Sequence, residues 1–362
     1  MRRFFHACLI AASSLLSLLA AARAADPLEL EWAKLADGVW AGVRPVSLSA
    51  PPTSSTLIVI GDTGVFVFDP AGTPLAGERV LAKIRSLTER PVTHIAISNW
   101  RGAHSRGADK IVEAFPDAQI IAHEFTARAI ENAENTFAQR GDKPKTASNN
   151  RFEKALAGGE AAATTRAYFE EELAHRDLVE REIGASRPVE PTRIFSDALS
   201  IDVGGRKIEL RHMGPGKSHG DIIAYLPKER ILATGDIVVS PTPFGANCHP
   251  KGWVRVLEQL KTLPADKIVP GHGAIMTDTD YFDLLIGAIN FASDEVARAV
   301  RKGMSLEETK EAMDWSEMEP RFTGGDPLLA IAFNDRFKTP IVEAAYKIAN
   351  GEDSEPLELA GR

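Results

Sequence analysis

Thr56-Leu57-Ile58-Val59-Ile60-Gly61-Asp62-Thr63-Gly64-Val65-Phe66-Val67-Phe68 sets two runs of β-branched and aromatic residues on either side of a turn tetrapeptide. Such side chains are enriched in strands and the Gly-Asp-Thr-Gly link suits a reversal, so the stretch predicts a hairpin. Downstream, Val80, Leu81, Ile84 and Leu87 recur at helical spacing, and Pro91 opens the run Val92 to Ile97. Strand, helix and strand therefore alternate from about 56 to 98, an α/β arrangement. The alternation returns with expected strands at about 200–203, 207–212, 222–226 and 231–234, a helix at about 253–262, and a short strand at Lys267-Ile268-Val269. Two sheets with outer helices follow from this order. Between the two blocks, residues 124–190 are rich in Ala, Glu and Arg, the composition of a helical insertion broken near Gly141-Asp142-Lys143-Pro144. From Tyr281 the chain reads as helical, with breaks at Gly303 and from Glu319-Pro320 to Asp326-Pro327, and a final helix at about 328–349. Apolar residues at helical spacing there favour packing onto the core over a partner-binding tail.

Composition narrows the function classes. The 362 residues are 44% hydrophobic and 25% charged, ample for a large core. A net charge of −8, with acids and bases interspersed, excludes a dedicated nucleic-acid surface. Cys8 and Cys248 are too few for a disulfide framework or a thiolate zinc site. At the N-terminus, Arg2 and Arg3 precede the apolar run Phe4 to Ala22, and Ala22-Arg23-Ala24 has the small-x-small pattern of a cleavage site. Residues 1–24 are expected to be a cleavable signal peptide, giving a periplasmic or secreted protein with no membrane association after cleavage. Residues 25–280 would form the main domain and 281–362 a C-terminal helical extension.

Four stretches fall where the expected strands end: Ser98-Asn99-Trp100-Arg101-Gly102-Ala103-His104, Gly214-Pro215-Gly216-Lys217-Ser218-His219-Gly220-Asp221, Ala233-Thr234-Gly235-Asp236 and Val269-Pro270-Gly271-His272-Gly273. Their order and flanks, over about residues 40–276, resemble the metallo-β-lactamase superfamily of metallo-hydrolases. The resemblance implies a four-layer αβ/βα sandwich, here with a helical insertion and a helical C-terminal extension, and a dinuclear zinc centre built by H-x-H-x-D-H, a G-x-G-H-T histidine, a bridging aspartate and a last histidine. In this chain the first station carries Asn99, Arg101 and Ala103 at the ligand positions and keeps only His104. The second has Lys217, the third keeps Asp236, and the fourth keeps His272.

Sorted by metal, the first zinc of the resembled family would face Asn99, Arg101, Lys217 and Asp236. Arginine is not deprotonated in proteins and an ammonium has no lone pair, so that zinc is expected to be absent. The second would keep His104, Asp236 and His272, leaving either no metal or one zinc ion at a residual site. A buried carboxylate without a cation is costly, and Arg101 and Lys217 are expected to fill the vacated position and pair with Asp236. Two functions remain open: a ligand pocket of Asn99, Arg101, Lys217, His104, Asp236 and His272 for a small anionic ligand or partner, with little ordinary hydrolase activity; or a mononuclear-metal hydrolase of an ester, thioester or lactam.

Other residues carry weaker readings. Gly216-Lys217-Ser218 mimics the end of a phosphate loop, but Arg211 replaces the needed glycine and a strand follows. His219 is expected to turn away from the pocket, Asn99 to hydrogen-bond its own loop, and Cys248-His249 to have no chemical role, since neighbours on an extended chain point to opposite sides. Asp69 is expected to buttress loops, His123 to pack behind the site, and Trp100 to wall it.

Overall fold

A computed structural model describes residues 26–44, 53–140, 173–187 and 189–355, with single positions at 166 and 170. The expected signal peptide and the break near 141–144 lie outside the described residues. A seven-stranded sheet runs in chain order through β1 (Glu31–Ala36), β2 (Val39–Val43), β3 (Thr56–Ile60), β4 (Val65–Phe68), β5 (Val92–Ala96), β6 (Gln119–His123) and β7 (Arg193–Phe195). The hairpin read at 56–68 is the antiparallel pair β3–β4, and the crossover helix α1 (Pro74–Leu87) makes β5 parallel to β4. Thr73 caps α1 by accepting from the Ala76 amide, and Pro74 sits in the first turn, where a missing N–H costs nothing. Between β5 and β7 lie the helices α2 (Ala108–Ala114), α3 (Glu124–Arg140) and α4 (Arg176–Ala185). The strands β1, β2, β6 and β7 have no counterpart in the sequence expectation. Trp32-Ala33-Lys34 mixes polar and apolar positions, and β6 offers only Ile120 and Ile121 as strand formers.

The second sheet has five strands in the order β12 (Lys267–Val269), β11 (Ile231–Ala233), β10 (Ile222–Leu226), β9 (Lys207–His212) and β8 (Ala198–Asp202). β10 is buried at every position, as a strand covered on both faces must be. Phe66, Phe68, Leu57 and Ile121 of the first sheet meet Ile208, Leu210, Ile222, Ala224 and Ala233 of the second in one buried core between the sheets. A second core lies behind the first sheet, where Val80, Leu81 and Ile84 of α1 cover Ile58, Val67 and Ile95. The architecture is an α/β sandwich of two mixed sheets with helices outside.

Behind the second sheet pack α5 (Pro250–Lys261) and α6 (Asp280–Arg301), followed by α7 (Leu306–Ala312), α8 (Glu319–Thr323), α9 (Pro327–Phe333) and α10 (Thr339–Ala349). Trp253, Phe282, Phe333, Phe337 and Ile341 join Ile223, Leu232 and Ile268 in one core, so the C-terminal helices share the packing of the sheet. Two details differ from the sequence expectation. The break at 319–327 contains the short helix α8, because Pro320 falls in its first turn, where it is tolerated. The single helix expected at 328–349 is divided by a π-helical turn at Asn334–Lys338. Gly245 packs directly against this turn, its amide donating to the Arg336 carbonyl at 2.7 Å.

Candidate metal and anion site

The site collects where strands of both sheets end. β4 delivers Asp69, β5 leads into a short turn at Gly102–His104, β11 into a turn at Gly235–Ile237, and β12 into His272. Gly235 has a left-handed φ of 53°, and a Cβ there would lie 2.6 Å from the Ser98 side chain. Only glycine lets the β11 loop approach the β5 loop this closely. Trp253, wholly buried on α5, fixes the same turn from behind by donating its indole N–H to the Ile237 carbonyl at 2.9 Å.

Asp69 stands at φ 55°, a conformation that aspartate tolerates better than most residues. Four bonds hold it. Its amide donates to Ala96, its carbonyl accepts from the Thr56 hydroxyl at 2.7 Å, Oδ1 accepts from the Ser98 amide at 2.7 Å, and Oδ2 lies 2.8 Å from His104 Nδ1. The residue read as a loop buttress therefore also orients an imidazole. With Nδ1 engaged by Asp69, His104 turns Nε2 toward Asp236 Oδ1 at 3.0 Å, and His272 Nε2 reaches the same oxygen at 3.3 Å. Neither contact is aligned as a hydrogen bond. His104 Nε2 and both Asp236 oxygens are buried polar atoms without a hydrogen-bond partner. Groups so placed are normally satisfied, and with His272 beside them the three residues converge closely enough to fit one divalent ion.

The charges respond to this packing. Burial opposes protonation of His104, but the Asp236 and Asp69 carboxylates outweigh it and raise the imidazole to about 10. Burial likewise opposes ionisation of Asp236, yet the facing imidazoles, His104 first, hold its carboxyl well below the usual range. His272 is lowered, chiefly by burial, with Asp236 pulling the other way.

The remaining predicted residues divide. Arg101 leaves the β5 loop so that Nη1 lies 4.0 Å from Asp236 Oδ2, while its guanidinium covers the Trp100 ring at 5.1 Å. Nη1 is buried and makes no hydrogen bond; Nη2 reaches the Ala246 carbonyl at 3.4 Å. Lys217 is wholly buried, but it is not brought to Asp236. Its Nζ donates to the Ala246 carbonyl at 2.7 Å, because the loop after Ile237 lies across it. Burial and the nearby Arg101 charge bring the ammonium down to about 8. The expectation that both cations pair with Asp236 thus holds in geometry for Arg101 and not for Lys217. Asn99 closes its own loop, accepting from the Arg101 amide at 3.0 Å and donating to Ser98 Oγ at 3.2 Å.

Several residues read as bystanders take defined places. His123 is buried against His212, with ring centroids 4.0 Å apart, and contacts the Ser196 carbonyl through Nε2. Cys248 is buried and its thiol is pushed up to about 12 by that burial, which leaves it un-ionised at neutral pH. His219 and His249 turn toward Glu355, as does the Trp100 indole N–H, which donates to Glu355 Oε1 at 2.7 Å. Nothing in the sequence around Glu355 points to the site. That residue meets the site across more than two hundred residues, with no local motif to mark it.

Residues 49–272 match the profile of the Metallo-beta-lactamase superfamily. The chain belongs to that superfamily. Among curated members, a linear primary-alkylsulfatase of Pseudomonas sp. is 24% identical over 289 residues, covering 74% of this chain and 50% of that protein. The chain thus spans about half the length of that relative. Among solved structures, a metallo-beta-lactamase from Pontibacter korlensis superposes with a TM-score of 0.51 at 19% identity, over 72% of this chain and 99% of the other. A double mutant of the sec-alkyl sulfatase PisA1, an enzyme from Pseudomonas sp., gives a TM-score of 0.63 at 16% identity, over 91% of this chain and 52% of the other. At these identities the likeness establishes the shared sandwich alone. Superfamily proteins of this fold usually hold zinc, and His104, Asp236 and His272 are the matching candidate ligands here.

Proposed function

We propose that this protein binds an anionic ligand at a single divalent ion held by His104, Asp236 and His272, with Arg101 standing where the superfamily's first metal would sit, and that two-metal hydrolysis has been lost. The observation that carries the reading is the Arg101 guanidinium. Its Nη1 is buried without a hydrogen bond, 4.0 Å from the Asp236 carboxylate, and a buried guanidinium nitrogen of this kind is suited to a carboxylate, sulfate or phosphate oxygen. Around the first metal position, Asn99 has its amide committed to the loop, Lys217 is committed to Ala246, and Arg101 has no lone pair to give. Among the described residues no ligand set for a first ion remains there.

The second position differs. Three protein donors leave one coordination place open, and an ion bound there supplies Lewis acidity toward a ligand oxygen. Arg101 would orient that oxygen, the Asp69 carboxylate fixes the His104 tautomer, and the buried walls exclude water. A zinc ion is the expected occupant, given two imidazoles and a carboxylate. Two observations favour a second reading, hydrolysis with a single ion: the Asp69–His104 pair is intact at 2.8 Å, and the alkylsulfatase relative is by its name a hydrolase. The expected export signal would place either activity outside the cytoplasm.

Calorimetric titration of the zinc-loaded full chain with acetate, inorganic sulfate and a primary alkyl sulfate tests the proposal, alongside an assay for released sulfate. Anion binding that weakens at least tenfold in Arg101→Ala, without sulfate release above background, is the expected result. Binding indifferent to Arg101→Ala would remove the proposal, and chelator-sensitive sulfate release would transfer support to the single-ion hydrolase.

A further inference from the structure

The two imidazoles that leave the main site form a donor cluster of their own. His219 Nε2 lies 3.1 Å from Asp353 Oδ2 and 4.0 Å from Glu355 Oε2, and His249 Nε2 lies 3.3 Å from the same Glu355 oxygen. The histidine rings are in contact, with centroids 4.1 Å apart and planes tilted by 52°. Ligand atoms about 2.0–2.1 Å from a tetrahedral ion stand roughly 3.3 Å from one another, so these separations are close to those of an assembled site. We propose that His219, His249, Asp353 and Glu355 bind a divalent transition-metal ion of the zinc class, which clips the C-terminal segment onto the loops beside the main site.

The surroundings orient each donor. Glu355 Oε1 accepts the Trp100 indole N–H at 2.7 Å, and Asp353 Oδ1 accepts the Glu355 amide at 3.1 Å, which holds the second oxygen of each carboxylate against the imidazoles. Such outer contacts are what hold metal ligands in register. His249 is fixed at the head of α5, its amide donating to Gly216 at 2.8 Å and its carbonyl accepting from Trp253 at 2.7 Å. The His219 amide donates to Glu355 Oε2 at 2.6 Å, and Ser354 Oγ donates to the Cys248 carbonyl. Two nitrogens and two oxygens suit zinc, cobalt or nickel better than magnesium or calcium. Access exists: the His219, His249 and Asp353 side chains retain 19%, 14% and 28% of their exposure, against 3% for Glu355. The cluster shares no residue with His104, Asp236 and His272.

The competing account is a clip made of hydrogen bonds alone, each Nε2–H donating to a carboxylate, and it predicts no ion. The full-length chain, stripped with a chelator, is titrated with Co²⁺ and followed by visible absorption and by metal analysis of the gel-filtered protein. Asp236→Asn, which disables the main cluster, should retain about one Co²⁺ per chain, and adding His219→Gln or Glu355→Gln should abolish it, because each removes one of the four protein ligands. The proposal is overturned if Asp236→Asn binds no cobalt, or if its cobalt survives both second substitutions. Circular dichroism confirms folding, and His219→Gln and Glu355→Gln serve as independent variants should either fail to fold. The two clusters fail separately: His219→Gln alone without cobalt would remove the main-site ion of the proposed function while leaving this site standing.

Discussion

Replacing Asp69 by asparagine isolates the contribution of one carboxylate to a metal site it does not itself touch. In the native arrangement Oδ1 accepts the Ser98 amide at 2.7 Å and Oδ2 lies 2.8 Å from His104 Nδ1. An asparagine must keep its carbonyl oxygen toward the Ser98 N–H, because its NH₂ would otherwise meet another donor. Its NH₂ then faces His104 Nδ1, which has to become the acceptor. A neutral imidazole has one N–H, so the proton moves to Nε2, the atom directed at Asp236 and needed as a ligand. The substitution therefore removes a charge and imposes the wrong tautomer. Outer-shell partners of metal-bound histidines contribute about 10- to 100-fold in affinity. With the tautomer opposed as well, the expected loss is at the upper end, about 100-fold, or roughly 2.7 kcal/mol at 1.36 kcal/mol per decade. Competition between the protein and a chromophoric chelator for Zn²⁺, in a His219→Gln background that removes the other donor cluster, reads this directly. Unchanged zinc affinity in a folded Asp69→Asn protein would refute the argument, because it would mean that His104 is not a ligand or that Asp69 does not set its proton.

Trp253→Ala should destabilise the fold by about 3–5 kcal/mol in urea unfolding, as a fully buried indole leaves a cavity and the Ile237 carbonyl loses its donor. Trp253→Phe should cost less while still loosening the Asp236 turn, which zinc affinity reports. His123, lowered to about 4 by burial and then by the charge of His212, gives a pH signature. The unfolded chain takes up its proton near the ordinary value of about 6.5 and the native chain only near 4, so stability falls as pH drops through that window and levels below it. The full shift corresponds to roughly 3 kcal/mol, of which solvent screening leaves about 2. Unfolding midpoints at pH 7 and pH 4.5 should differ less in His123→Gln than in the native chain.

The parts of this structure that could be read in advance are those whose cause is local. The hairpin at 56–68, the crossover helix over Val80, Leu81 and Ile84, and the buried strand at Ile222–Leu226 each rest on periodicity within a dozen residues. The same holds for the strand-end stations, whose glycines permit close loop approach, as Gly235 does against Ser98. What was not legible depends on distant partners. Lys217 differs from the residue the superfamily uses at that place, and its charge suggested Asp236 as its partner. The destination was decided by Ala246, on a loop twenty-nine residues away, whose carbonyl offers a bond without requiring the ammonium to cross the pocket. His249 follows Cys248 on an extended stretch, where neighbours point to opposite sides, and its imidazole turns to Glu355, a residue with no motif around it.

Arg101 links the two clusters electrostatically, and its position explains why both stand where they do. Asp69, Asp221, Asp236 and Glu355 are buried carboxylates in this region, and Arg101 is a cation held close to Asp236 and felt by Glu355: Nη1 lies 4.0 Å from Asp236, and although burial raises the Glu355 carboxyl, the His249 and Trp100 hydrogen bonds and then the Arg101 charge hold it low. Lys217 adds a second positive charge, but one engaged with a neutral carbonyl. One guanidinium and one ammonium cannot neutralise four buried acids, and isolated buried carboxylates are too costly to persist. The deficit has to be met by protonated imidazoles or by metal ions, and the histidines are distributed accordingly, His104 and His272 on Asp236, His219 and His249 on Glu355. The two ways of meeting the deficit differ in what they leave for a ligand. Imidazolium would use its N–H bonds on the acids themselves, whereas an ion with three protein ligands keeps a place open next to Arg101. An anion bound there therefore requires the metal as well as the arginine, and the same anion titration run on chelator-stripped protein should show its affinity fall to the level left by Arg101→Ala or below.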